Sequence, residues 1–114
     1  MNARAFLTGI SGPILTDEER GVLREARPWG FILFKRNIDN KQQVSDLVRD
    51  LRETIGFAEA PVLIDQEGGR VQRLGPPHWP AYPPGAAFGA LYDDDARAGL
   101  RAAWLMSRLH AFDL

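Results

Sequence analysis

Val62-Leu63-Ile64-Asp65-Gln66-Glu67-Gly68-Gly69-Arg70-Val71-Gln72-Arg73 joins a short, wholly apolar run to two acids, a glycine pair and two arginines. A continuous apolar run of this length reads as a strand of a parallel sheet, buried on both faces. In such sheets the functional groups gather just past the carboxyl ends of the strands. Asp65 stands at that end. Gly68 and Gly69 allow a sharp turn, or a close approach of backbone to a ligand, with no side chain intervening. The carboxylates offer acceptors to sugar hydroxyls, and the arginines offer forks for those carboxylates or for an anionic ligand.

Working outward from this segment, two further strand-then-helix units precede it. Ala5 to Ile10 reads as a weak first strand, broken by Ser11-Gly12-Pro13. Thr16 with Glu19 three residues on forms the capping-box pattern of a helix start, and that helix must stop before Pro28. Trp29 to Phe34 reads as a second strand, apolar on both faces. Asp39 with Gln42 suggests the next helix start. Val44, Leu47, Val48, Leu51 and Ile55 then fall on one helical face, with Lys41, Ser45, Arg49 and Arg52 on the wet side and Gly56 as the stop. The third strand is Pro61 to Asp65. The stretch Gly75 to Gly89 holds five prolines together with His78, Trp79 and Tyr82, and reads as a long irregular loop. Asp93-Asp94-Asp95 then suit the positive end of a last helix, whose apolar stripe is Ala96, Leu100, Ala103 and Trp104. Strands alternating with helices argue for a parallel α/β fold with right-handed crossovers.

Composition narrows the function classes. A chain of 114 residues with 45% hydrophobic residues supports a single core. A net charge of −1, with scattered arginines, gives no reason to expect nucleic acid or an anionic membrane as partner. With no cysteine, neither a disulfide framework nor a thiolate metal site is available. The first residues lack the apolar core of a signal peptide, and no stretch approaches the roughly 20 apolar residues of a membrane span. The expectation is an intracellular, cytoplasmic protein without cofactor or metal; its oligomeric state is open.

Ile64-Asp65-Gln66-Glu67-Gly68-Gly69-Arg70-Val71-Gln72-Arg73-Leu74 resembles the hallmark of the bacterial β-N-acetylhexosaminidases of glycoside hydrolase family 3. Trp29-Gly30-Phe31-Ile32-Leu33-Phe34-Lys35-Arg36-Asn37 upstream and Pro76-Pro77-His78-Trp79-Pro80 downstream agree in order and spacing. The resemblance runs from about Ala5 to the C-terminus. It implies cytoplasmic enzymes that remove N-acetylglucosamine from recycled cell-wall muropeptides by a retaining mechanism. The fold it implies is a (β/α)₈ barrel, which needs about 250 residues. This chain has room for about three of the eight units, the N-terminal portion of such a barrel.

The resemblance also orders the candidate residues. It implies that Asp65 grips hydroxyls of the terminal N-acetylglucosamine and that Arg73 lies in or near the sugar pocket. Glu67, Gly68, Gly69 and Arg70 are expected to support the loop. Structural readings stand beside these: Asp65 and Glu67 as acids paired with Arg70 or Arg73, or Asp65 and Glu67 as oxygen ligands too few to specify a metal. Lys35 and Arg36 stand where two cations would meet an anionic muropeptide, or form a solvated loop pairing with Asp39. His78 and Trp79 offer either a wall for a sugar ring or loop packing, and His110 reads as a surface or capping residue. The implied nucleophile is an aspartate on a late barrel strand and the implied acid/base a histidine on a mobile loop. Both are expected beyond Leu114, so no residue here is assigned a catalytic role. Two rivals stay open: a sugar-binding fragment without turnover, and a β-glucosidase-like specificity.

Overall fold

The computed structural model describes residues 2–114, which gather into two compact units, one ending at Asp65 and the other running from Gln66 to Leu114. The first unit is a three-stranded parallel sheet with two helices. Its elements are β1 (Arg4–Thr8), α1 (Asp17–Ala26), β2 (Pro28–Leu33), a 3₁₀ turn at Lys35–Asn37, α2 (Lys41–Ile55) and β3 (Val62–Ile64). The strand order is β1-β2-β3, with Phe31 opposite Val62 and Leu33 opposite Ile64. β1 and β2 are therefore each followed by a crossover to the next parallel strand, and the carboxyl ends of all three lie along one edge.

The caps explain where the helices begin and end. Thr16 accepts from the Glu19 N–H at 3.1 Å while the Glu19 carboxylate accepts from the Thr16 N–H at 3.0 Å, the reciprocal arrangement expected. Burial pushes the Glu19 carboxyl up, but hydrogen bonds from Thr16 and Ser11 outweigh it and hold the group below its ordinary value. The second helix starts one residue later than expected. Asn40, not Asp39, accepts from the Gln43 N–H at 3.0 Å, and Gln43 reaches back to the Asp39 N–H at 2.7 Å. Gly56 closes α2 at φ 68°, as its position predicts.

The core of this unit is Ile10, Leu15, Leu23, Phe31, Leu33, Leu47, Leu51 and Ala60. Phe31 and Leu51 are fully buried, and Val44, Val48 and Ile55 pack against them. The α2 stripe thus faces the sheet as its spacing requires. Arg52, expected in water, instead lies half-buried and donates from Nε to the Ala60 carbonyl at 3.0 Å, tying the helix end to the start of β3.

The second unit departs further from expectation. Gln66–Gly68 (β4) and Val71–Gln72 (β5) form a small antiparallel hairpin. The proline-rich stretch stays irregular only to Pro84, after which Gly85–Asp94 form a helix, α3. All five prolines precede it, so nothing in Gly85-Ala86-Ala87 opposes helix. Asp93 and Asp94 close α3 rather than opening the last helix. Asp95 alone caps α4 (Ala96–Asp113), accepting from the Arg97 and Ala98 N–H groups.

The stripe of α4 is rotated from the one expected. Leu100 is 64% exposed and Trp104 54%, while Gly99 is buried and Ala102, Met106 and His110 are half-buried. Gly99 sets the rotation: a Cβ there would collide with Tyr92 of α3, so the two helices meet at this point. Arg108 covers part of the exposed Trp104, its guanidinium 4.9 Å from the ring centroid.

Candidate functional site

Asp65 stands one residue beyond β3, at the carboxyl end of the sheet, and is half-buried. Its neighbour across the sheet is the turn after β2, since Leu33 and Ile64 are paired in register. A carboxylate in this position is held on the rigid part of the fold, because β3 is anchored through Phe31, whose N–H donates to the Pro61 carbonyl at 2.9 Å.

The turn carrying Lys35, Arg36 and Asn37 is exposed at its first two residues, as its composition suggests, but not at the third. Asn37 is fully buried. Its amide donates to the Ile10 carbonyl at 3.1 Å and the Gly12 carbonyl at 2.8 Å, and its oxygen accepts from the Phe34 N–H at 2.9 Å. One side chain thereby fastens the loop after β1 to the turn after β2. Gln43 adds to the clasp, donating to the carbonyls of Asn37 and Pro13. Arg36 does not pair with Asp39; its Nε donates to the Ile10 carbonyl at 2.9 Å. Sequence reasoning missed Asn37, because the carbonyls that satisfy it lie about 25 residues away in the chain.

Glu67, Gly68, Gly69, Arg70 and Arg73 all belong to the second unit, whereas Asp65 closes the first. Glu67 and Arg70 are exposed on the hairpin, and among the described residues neither enters an ion pair. The bracing expected of them is done by two glutamines. Gln66 donates to the Leu74 carbonyl and accepts from the Leu74 N–H. Gln72 donates to the carbonyls of Leu74 and Pro80 and accepts from the Tyr82 N–H at 2.9 Å. Arg73 is half-buried just after β5.

The two glycines are explained by the proline-rich loop. Gly68 and Gly69 have φ of 90° and 61°, a region that favours glycine. A Cβ on Gly68 would also strike the Pro83 carbonyl, and one on Gly69 would come within 2.8 Å of the Pro84 ring. They serve the packing of loop on hairpin. Trp79 is buried, so loop packing is its role, and exposed His78 meets it edge-on with centroids 6.2 Å apart. His110 is not a surface or capping group: its ring meets Tyr82 edge-on at 5.0 Å. The Tyr82 hydroxyl donates to Asp113 at 2.5 Å, and this bond holds the phenol up at about 12.

Other features carry no chemistry at this site. A recess of about 420 Å³, bordered by Arg24, Arg27, Pro28 and the end of α2, lies at the amino ends of the strands, away from Asp65. Among the described residues, no group of three or more His, Asp or Glu is placed to hold a metal, and no helix is long and apolar enough to cross a membrane.

With this geometry in place, comparison with known proteins gives consistent results. No family profile matches the chain. The beta-hexosaminidase of Stenotrophomonas maltophilia strain K279a is 41% identical over 110 residues, covering 90% of this chain and 31% of the relative. Among solved structures, NagZ from Neisseria gonorrhoeae in complex with zinc ion superposes with a TM-score of 0.87 at 29% identity, over 97% of this chain and 33% of that one. The same protein in complex with N-trifluoroacetyl-D-glucosamine gives 0.78 at 31% identity, over 89% and 30%. The chain spans about a third of the length of the relatives it matches. In sequence and in backbone, the chain is similar throughout to the N-terminal third of bacterial beta-hexosaminidases, which are glycoside hydrolases of family 3.

Proposed function

We propose that this chain is the sugar-holding N-terminal segment of a β-N-acetylhexosaminidase that hydrolyses terminal N-acetylglucosamine from cell-wall saccharides in the cytoplasm. The observation that carries the reading is the place of Asp65, at the carboxyl end of a parallel strand within a segment similar to beta-hexosaminidases. Support for the sugar comes from the Neisseria protein's complex with an N-acylated glucosamine. In this reading the three strands are the first of a (β/α)₈ barrel, whose active groups collect on the carboxyl face. The Asp65 carboxylate accepts hydrogen bonds from two hydroxyls of the terminal sugar. It does not break the glycosidic bond. The retaining mechanism assigns that to a nucleophile and an acid/base, and no residue of this chain takes either role. By itself the 114-residue chain is then a binding segment without turnover.

The test grafts this chain in place of the matched third of the Stenotrophomonas enzyme and follows hydrolysis of an aryl N-acetyl-β-glucosaminide. In an active graft, Asp65→Ala is expected to lower kcat/KM on the order of 100-fold, the effect of two lost charge-assisted hydrogen bonds. Unchanged kinetics would remove Asp65 from the site. A parallel assay with the aryl β-glucoside separates the N-acetylhexosaminidase from a β-glucosidase.

A further inference from the structure

A residue with a Cβ seldom adopts left-handed backbone, and one followed by proline is pushed toward extended backbone instead. Arg27 meets both conditions, yet it ends α1 at φ 48°, alone among the described non-glycine residues in having positive φ. Glycine or asparagine is the ordinary occupant of such a helix end. The backbone is held from both sides: the Arg27 N–H donates to the Leu23 carbonyl at 2.9 Å, and the Arg27 carbonyl accepts from the Arg4 N–H at 2.8 Å. Strain kept in place by neighbouring bonds is characteristic of functional positions. Arg27 lines the recess of about 420 Å³ at the amino ends of the strands, with Arg24, Pro28, Glu53, Thr54 and Ile55. All of these residues belong to the first unit.

Three of them are charged, and among the described residues the side chains of Arg24, Arg27 and Glu53 have no hydrogen bond or ion pair. Asp50, one turn earlier on α2, is taken through both oxygens by Arg20. Thr54 is 8% exposed, and its hydroxyl accepts from Arg20 without donating to any described acceptor. Carbonyls at the two helix ends beside the recess are capped by the N–H groups of Arg27, Gly56 and Phe57. Two guanidiniums in one recess suit an oxyanion, which each meets with paired N–H groups. Glu53 repels a bare anion and accepts a hydrogen bond only from a ligand that still carries a donor. A phosphate group answers both, since its second pKa of about 6 leaves it an O–H close to neutrality. We propose that this recess binds a phosphate group, free or as the monoester of a small molecule, with Arg24 and Arg27 on its charged oxygens and Glu53 on its protonated one. The site lies at the opposite ends of the strands from Asp65 and does not depend on the sugar-binding reading.

NMR titration of the 114-residue chain at about pH 6 and fixed ionic strength compares inorganic phosphate, phenyl phosphate and sulfate. Phosphate is expected to shift the Nε–Hε resonances of Arg24 and Arg27 and to bind about tenfold more tightly than sulfate. Glu53→Gln, whose amide donates to a bare oxyanion, should bind the two alike. Arg24→Gln should weaken phosphate binding about tenfold, whereas Arg49→Gln, on the outer face of α2, should bind like wild type. Arg27→Gly removes the fork and relieves the backbone, so it should lose binding while its urea midpoint stays at or above that of wild type. If Arg27→Gly loses its folded spectrum, Arg27→Asn, which also tolerates this backbone, carries the same test. Phenyl phosphate binding more tightly than inorganic phosphate assigns the monoester; otherwise the free ion is the ligand. Wild type that binds no phosphate, or sulfate equally well, overturns the proposal. So does binding that survives Arg27→Gly, or that falls as far in Arg49→Gln as in Arg24→Gln.

Discussion

At position 37 a fully buried amide partners three backbone groups beneath the carboxyl edge of the sheet, one of which, the Ile10 carbonyl, also accepts from Arg36 Nε. An apolar side chain would fill the space and remove the partner that Asn37 supplies to the Gly12 carbonyl and the Phe34 N–H, while the Ile10 carbonyl would keep Arg36 Nε. Each buried group left that way costs about 1–3 kcal/mol. Asn37→Ala is therefore expected to destabilise the protein by about 3 kcal/mol, measured as a shift of the urea midpoint, and Asn37→Asp to destabilise it too, because a carboxylate cannot donate to two carbonyls. A midpoint within 0.5 kcal/mol (about the range of ordinary surface substitutions) would show that the clasp contributes little. The same residue shows where sequence reasoning stops. Lys35-Arg36-Asn37 is polar throughout and reads as solvent-facing, and nothing local reveals that the third member turns inward. Asp65 was legible because a strand end needs only its own neighbours to be seen.

Elements were legible to the degree that their signals are local. The capping box of α1, the apolar face of α2 and its Gly56 stop all stand where spacing puts them. The hairpin β4–β5 and helix α3 did not announce themselves, since short strands lack a period and a glycine-alanine run lacks an apolar face. The α4 stripe was misread because the contact face is set by a glycine, which no hydrophobic pattern counts. Within the second unit, the irregular loop is held by side chains at both ends, by Gln72 to the Tyr82 backbone and by the Tyr82 hydroxyl to Asp113 of α4. The latter bond gives a pH signature. Its accepting carboxylate, with some burial, raises the Tyr82 phenol to about 12 from an ordinary 10. A group raised in the folded state stabilises fully below its unfolded pKa and loses that contribution as pH rises through the folded one. The Tyr82–Asp113 contribution should therefore be complete below about pH 10 and fade between about 10 and 12. Titrating tyrosinate absorbance, with Tyr92 as the other tyrosine, should show one phenol ionising late in wild type and at the ordinary value in Asp113→Asn. Two superimposable titrations would show that the hydroxyl bond is not held in solution.

On the scale of the whole molecule, the exposed apolar groups tell against the chain as a finished structure. Parallel sheets are normally covered on both faces, yet Phe6, Leu7 and Leu63 are 40%, 37% and 41% exposed, and β1 and β3 are both sheet edges. In the second unit, Leu100, Trp104, Leu109 and Phe112 of α4 are 64%, 54%, 48% and 91% exposed. Unpaired parallel edges and apolar surface of this extent invite association. The chain covers 31% of its Stenotrophomonas relative, and in the proposed barrel the other two thirds would supply the strands and helices that cover these groups. The expected outcome is that the 114-residue chain binds an apolar dye such as ANS strongly and sediments in a concentration-dependent way. When it is grafted onto the remaining two thirds of the relative, both signals should fall to those of the intact Stenotrophomonas enzyme. Charged substitutions separate the surfaces: Leu100→Lys with Phe112→Lys should reduce dye binding of the isolated chain while leaving its helical circular dichroism in place. A graft that binds as much dye as the chain alone would mean that the added segment does not cover these faces, and the barrel reading would fall with it.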